Sequence, residues 1–219
     1  ADGVCLWNIL KESYFFRAEL PQAGELLSAV DTQIGGAVTL AWRSSASQVD
    51  KYNLYYVRAG QGNMQSVSVL PADVCSLISG VYNCSATLSG LENGYSYVFK
   101  VTVLSANKTE SDLSNEKTAT PTDKTAPAVP TNLSVDDNPS SQDIKFTWTP
   151  VVGALYYRLY HGIASGLYGE SFDSGQNASS LSFSRSQFSS GTHYFRLSAL
   201  DASGNESGQS SPEVQLIVD

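Results

Sequence analysis

Two histidines, 21 carboxylates and three cysteines are the groups in this 219-residue chain from which chemistry could be built. Their spacing favours structure over catalysis. His161 ends the run L-Y-Y-R-L-Y-H, and His193 takes an inward position in H-Y-F-R-L-S-A-L. Each is therefore expected to be a packed or rim histidine rather than a general base. No G-x-S-x-G, H-E-x-x-H or P-loop segment is present, so no catalytic or cofactor-binding residue is assigned and an enzyme is not expected. Asp201, Ser203 and Asn205 share the one-three-five spacing of a calcium loop. Yet Glu206 stands where that loop needs glycine and Pro212 where it needs a bidentate glutamate, so no metal site is assigned. Among Cys5, Cys75 and Cys84 three pairings are open. The Gly- and Ser-bearing segment C-S-L-I-S-G-V-Y-N-C favours Cys75 with Cys84, against the alternative of a free buried thiol at each position. No C-x-x-C pair or Cys/His cluster suggests zinc or haem. One candidate binding patch remains. If Tyr157 and Leu159 point inward, then Tyr156, Arg158 and Tyr160 point outward, as do Tyr194 and Arg196 on the neighbouring strand. Such a Tyr/Arg surface suits a polysaccharide or protein partner, and it equally suits ordinary cross-strand pairing on a solvated face.

These residues must be carried by β-structure. Hydrophobic residues make up 42% of the chain and charged residues only 16%, while 33 Ser and 13 Thr supply a hydroxyl surface that suits strands better than exposed helices. The net charge of −8 argues against a nucleic-acid or anionic-membrane partner. No run of 18 apolar residues exists, so no membrane span is expected, and no basic n-region precedes an apolar h-region. Period-two alternation beside a tryptophan occurs twice: Val38, Leu40 and Trp42 share one face, and Ile144, Phe146 and Trp148 another. Each is followed by a tyrosine-rich alternating run, with Tyr52, Leu54 and Tyr56 matched by Tyr157, Leu159 and His161. A third match sets Tyr97, Phe99, Val101 and Val103 against His193, Phe195, Leu197 and Ala199. The order implies a duplicated domain. Between the copies, Pro121, Pro127 and Pro130 interrupt any ladder and favour a stiff connection. The expected fold is all-β: two antiparallel sandwiches at 24–121 and 131–219, joined by a linker at 122–130 and preceded by an apolar extension at 1–23.

The tryptophan strand, the Tyr-x-hydrophobic strand after it, L-E-N-G-Y-S-Y-V-F-K-V and G-T-H-Y-F-R-L-S-A-L-D-A-S-G-N-E-S resemble tandem fibronectin type III domains. The second copy is similar to the bacterial extracellular version, with T-A-P-A-V-P-T-N-L-S-V opening its first strand. The resemblance covers roughly residues 24 to 219 and implies a fold without implying an activity. In the first copy Leu91 and Tyr97 match the family's tyrosine-corner spacing. His193 falls in that slot of the second copy, where the corner is expected to be absent or shifted. The family spacing of Leu88 and Leu91 places Cys84 near the start of a strand to which Cys75 must return.

Five N-x-S/T triplets, at Asn83, Asn107, Asn132, Asn177 and Asn205, form a mild excess in a Ser-rich chain and leave glycosylation open. A two-domain cytokine receptor would carry paired cysteines in its first domain and W-S-x-W-S in its second, and neither is here. The extension carries Cys5, Leu6, Trp7, Ile9, Leu10, Phe15 and Phe16, more apolar surface than a tail should expose. It is expected to cover its own first domain or to pair with a neighbouring subunit, where Cys5 would fit an intermolecular link. The reading that follows is a secreted, non-enzymatic structural or adhesive protein of a bacterial surface or extracellular assembly, whose partner is itself, another extracellular protein or a polysaccharide. The alternative is an accessory fragment, spacer or polysaccharide-binding, of a larger carbohydrate-active enzyme.

Overall fold

The computed structural model describes residues 20–45, 48–138 and 141–219. Cys5, Leu6, Trp7, Ile9, Leu10, Phe15 and Phe16, the candidate assembly residues, lie outside the described residues. By contact the chain forms two compact units.

The first unit holds β1 (Glu25–Asp31), β2 (Val38–Ser44), β3 (Val49–Arg58), β4 (Gln65–Val69), a single-turn helix α1 (Pro71–Val74), β5 (Cys75–Ile78), β6 (Val81–Leu88), β7 (Tyr97–Ser105) and β8 (Lys117–Ala119). One antiparallel sheet runs β1-β2-β6-β5 and the other β4-β3-β7-β8. Alternation does the folding work here: Val38, Leu40 and Trp42 of β2, Tyr52 and Leu54 of β3, and Phe99, Val101 and Val103 of β7 all turn inward and are fully buried. Trp42 meets Tyr52 edge to face, ring centroids 5.3 Å apart.

Cys75 and Cys84 face each other across the β5/β6 hairpin and form a disulfide, the pairing favoured by their spacing. The bond closes a short loop, nine residues in sequence separation. Removing it in a Cys75→Ser/Cys84→Ser variant is expected to lower the stability of this sandwich by about 2.5 kcal/mol through the freed chain entropy of the unfolded state. Urea unfolding of variant and parent, without reductant, checks this; equal midpoints would show that the hairpin is held without it.

The second unit repeats the plan with β9 (Thr131–Asp136), β10 (Asp143–Thr149), β11 (Tyr156–Gly162), β12 (Glu170–Asp173), β13 (Ser180–Ser184), β14 (Gly191–Leu200) and β15 (Val214–Val218). Its sheets run β13-β10-β9 and β12-β11-β14-β15. Ile144, Phe146 and Trp148 of β10 pack on Tyr157 and Leu159 of β11 and on Phe195, Leu197 and Ala199 of β14. Trp148 meets Tyr157 at 5.1 Å, the counterpart of the Trp42 and Tyr52 pair. Both tryptophans are buried, as the duplicated pattern requires.

Candidate functional site

The outward-facing residues of β11 and β14 lie on one sheet face, but they do not form a single cluster. Tyr156 pairs with Leu200 at one end, and Gly162 pairs with Tyr194 at the other. Six residues of strand separate the ends, about 20 Å. Tyr156 accepts a hydrogen bond from Gln176 Nε2 at 2.8 Å, outside the central group. That group is Arg158, Tyr160 and Arg196, with Tyr160 and Arg196 directly opposed across the strands.

Carboxylates from three other segments close on it. Arg158 grips Asp173 with two hydrogen bonds, at 2.7 and 3.0 Å, and donates a third to Glu206 at 2.9 Å. Glu206 also accepts from the hydroxyls of Tyr160 and the buried Ser198. Glu213 accepts from Ser165, the Gly166 amide and Tyr168, and lies 4.0 Å from Arg196, whose guanidinium is 5.9 Å from the Tyr168 ring. The Asp173 carboxyl is held below its usual range by the hydrogen bonds and charge of Arg158. Burial alone would raise the Glu206 carboxyl, but the hydrogen bonds from Ser198 and Tyr160 and the charge of Arg158 outweigh it and hold it low. Burial, and then the Glu206 carboxylate, push the Tyr160 hydroxyl up. Two cations therefore face three anions, and their bonding capacity is spent among themselves.

The same clamp exists in the first sandwich. Glu110 accepts from Asn53 at 2.7 Å, from Tyr55 at 3.0 Å and from Thr102. These residues occupy the places of Arg158, Tyr160 and Ser198. In both copies a turn with a left-handed residue, Lys108 (φ 66°) or Gly204 (φ 86°), delivers the glutamate. Two serines follow each glutamate, and they stand in for a strand. Ser111 and Ser114 accept from the Val103 and Val101 amides through Oγ, and return their own amides to the same residues' carbonyls, all at 2.9 Å. Ser207 and Ser210 do this for Ala199 and Leu197. Edge amides of β7 and β14 that would otherwise be left without partners are satisfied in this way. A feature present in both copies at equivalent positions belongs to the sandwich. The glutamates were not singled out in the sequence, although T-E-S-D-L-S and N-E-S-G-Q-S repeat the signal.

His161 and His193 are both buried in the second core. His161 Nε2 and His193 Nδ1 are 2.8 Å apart, His161 Nδ1 is 3.1 Å from a Glu170 oxygen, and His193 Nε2 donates to the Ser189 carbonyl at 2.9 Å. This corrects the expectation of an absent or shifted corner. A tyrosine corner ties a side-chain donor back to the backbone a few residues upstream, and His193 does so with an imidazole N–H four residues from its acceptor. Asp201 is likewise occupied: its carboxylate accepts from the Ser203 and Asn205 amides and the Asn205 side chain, which leaves it serving its own turn. Among the described residues no group of three or more His, Cys, Asp or Glu side chains is placed to hold a metal.

Duplicated sandwiches, each with a buried Trp/Tyr pair and a Glu-Ser-x-x-Ser closing segment, define a tandem of immunoglobulin-like modules. Residues 25–119 match the profile of the fibronectin type III domain, and the chain is a fibronectin type III domain protein with the tandem fold of that family. A two-domain fibronectin type III segment of chicken tenascin superposes with a TM-score of 0.51 over 91% of this chain and all of that one, at 16% identity, a likeness of fold alone. Chitinase A1 of Niallia circulans is 30% identical over 186 residues, which is 80% of this chain and 23% of that protein. The chain thus spans under a quarter of the length of that curated relative.

Proposed function

We propose that the chain is a non-catalytic accessory segment of a larger extracellular carbohydrate-active protein, in which the two sandwiches act as a spacer. The observation that carries this reading is the extent of the similarity to Chitinase A1: it runs across both sandwiches and stops short of most of that protein. The electrostatics agree with a spacer. Arg158, Tyr160 and Arg196, the best candidates for a ligand surface, are engaged by Asp173, Glu206 and Glu213, and a bound sugar would have to compete with those bonds. No described helix is long and apolar enough to cross a membrane.

A second reading is a structural or adhesive unit that assembles through residues 1–20. It is favoured by the apolar sequence of that segment together with Leu77 and Ile78, each about three-fifths exposed on the edge strand β5. The size of the native gene product separates the two. Under the spacer reading an antibody raised against the sandwiches detects, in the culture medium, a protein much larger than 23.5 kDa. The isolated chain is then a monomer that stays in solution over insoluble chitin. A secreted product of 23.5 kDa that forms oligomers, lost when residues 1–19 are deleted, would replace this reading with the second. Retention on chitin abolished by Tyr194→Ala would overturn the spacer assignment in favour of a binding surface.

A further inference from the structure

The two histidines of the chain bond to each other, and hydrogen counting limits the charge that they can share. The Ser189 carbonyl can only accept, so His193 Nε2 carries a hydrogen. One hydrogen, and no more, fits between His161 Nε2 and His193 Nδ1 at 2.8 Å. With Glu170 accepting from His161 Nδ1 the two rings hold three protons and one positive charge. When Glu170, whose side chain is largely exposed, turns away, they hold two protons and no charge. A fourth ring proton would set N–H against N–H and break the contact. Glu170, from β12, is the charged group in contact with the pair among the described interactions. The other rings packed on it are Phe172 of β12, Phe188, and Phe195 of β14, while β15 sets Leu216 opposite His193. None of these can stabilise a second charge.

We propose that the folded second sandwich admits one proton at the His161/His193 pair and excludes the second, which makes this domain labile in mild acid while the first is not. In the first sandwich the equivalent positions are Tyr56 and Tyr97, which stay neutral there. Free histidines titrate near pH 6.5, so the unfolded chain takes up two protons below that point where the native pair takes one. Stability rises with pH wherever the unfolded state binds more protons, so it must fall as the pH drops through the histidine range. A difference of one proton changes the folding equilibrium tenfold per pH unit once the unfolded histidines are fully charged.

Because the chain has no other histidine, imidazole nitrogen NMR of the full chain reads this pair alone. From pH 8 to 5 the two rings are expected to reach three protons between them and no more while the amide spectrum stays folded. Urea unfolding of the second sandwich should approach a tenfold loss per pH unit below pH 6, relative to His193→Tyr and His161→Phe variants, each of which removes the shared contact. Four ring protons in the folded chain, or equal pH slopes in parent and variants, would overturn the proposal. Should neither variant fold, the proton count on the native chain decides by itself.

Discussion

Replacing Glu206 with alanine is expected to destabilise the second sandwich by about 3 kcal/mol, because a buried polar group left without its partner costs about 1–3 kcal/mol and several are stranded together. Ser198 is fully buried, so its hydroxyl has no water to turn to. The Tyr160 hydroxyl and one arm of Arg158 lose their acceptor in the same step. Arg158 keeps its two bonds to Asp173, which sets an upper limit on the loss. Glu206→Gln should fall between parent and alanine variant, keeping an acceptor oxygen and losing the charge. Glu110→Ala in the first sandwich should show a smaller loss, since its clamp contains no cation among Asn53, Tyr55 and Thr102. The effect also has a pH signature. A carboxyl held low in the native state contributes stability above its unfolded range, and that contribution disappears as the pH falls through the native value. The gap between parent and Glu206→Ala should therefore be full at pH 7 and narrow towards pH 3. Urea unfolding followed by tryptophan emission at the two pH values checks both points. A loss under about 0.5 kcal/mol at pH 7, typical of surface substitutions, would show that the network merely decorates the sheet.

Gly162→Ala is the second large effect expected, again near 3 kcal/mol and confined to the second sandwich. A Cβ at this position would stand 1.8 Å from the Leu167 carbonyl oxygen and 2.8 Å from its carbon. The obstacle is backbone, so no side-chain rotation relieves it. The 163–169 loop cannot simply retreat, because Glu213 holds Ser165, Gly166 and Tyr168, and the Gly169 amide is bonded to the His161 carbonyl at 3.1 Å. Gly169→Ala provides the control. Nothing lies within 4 Å of its added Cβ, and a change within about 0.5 kcal/mol is expected. For a domain of this size 3 kcal/mol lowers the melting temperature by roughly 10 °C or more, well within reach of calorimetry. Similar melting temperatures for the two variants would show that the loop yields readily and that the close approach of β11 to it is incidental.

Residues 38–42 and 144–148 announce their own inward faces, because a strand buried on one side must alternate and the tryptophan fixes which side that is. The pairing of Cys75 with Cys84 was legible for a related reason: a short Gly/Ser-bearing segment returns its ends to each other whatever the rest of the chain does. The outward direction of Arg158, Tyr160 and Arg196 followed from the same alternation. What they meet did not. Asp173, Glu206 and Glu213 reach them from β12, from the turn after β14 and from the start of β15, and local periodicity carries no information about which segments converge.

His193 shows the difference most directly. Sequence placed it correctly as an inward residue, and comparison with the tyrosine of the first copy made it look like a lost corner. Only the register of β11 against β14, with His161 opposite Phe195, brings a second imidazole within 2.8 Å and turns Nε2 onto the Ser189 carbonyl. The chain by itself determined the strands, their faces, the duplication and the disulfide, since each depends on neighbours within a few residues. The tertiary structure decided which polar groups are spent on one another and which face solvent, because hydrogen bonds and charges act over a few ångströms between residues that lie dozens of positions apart.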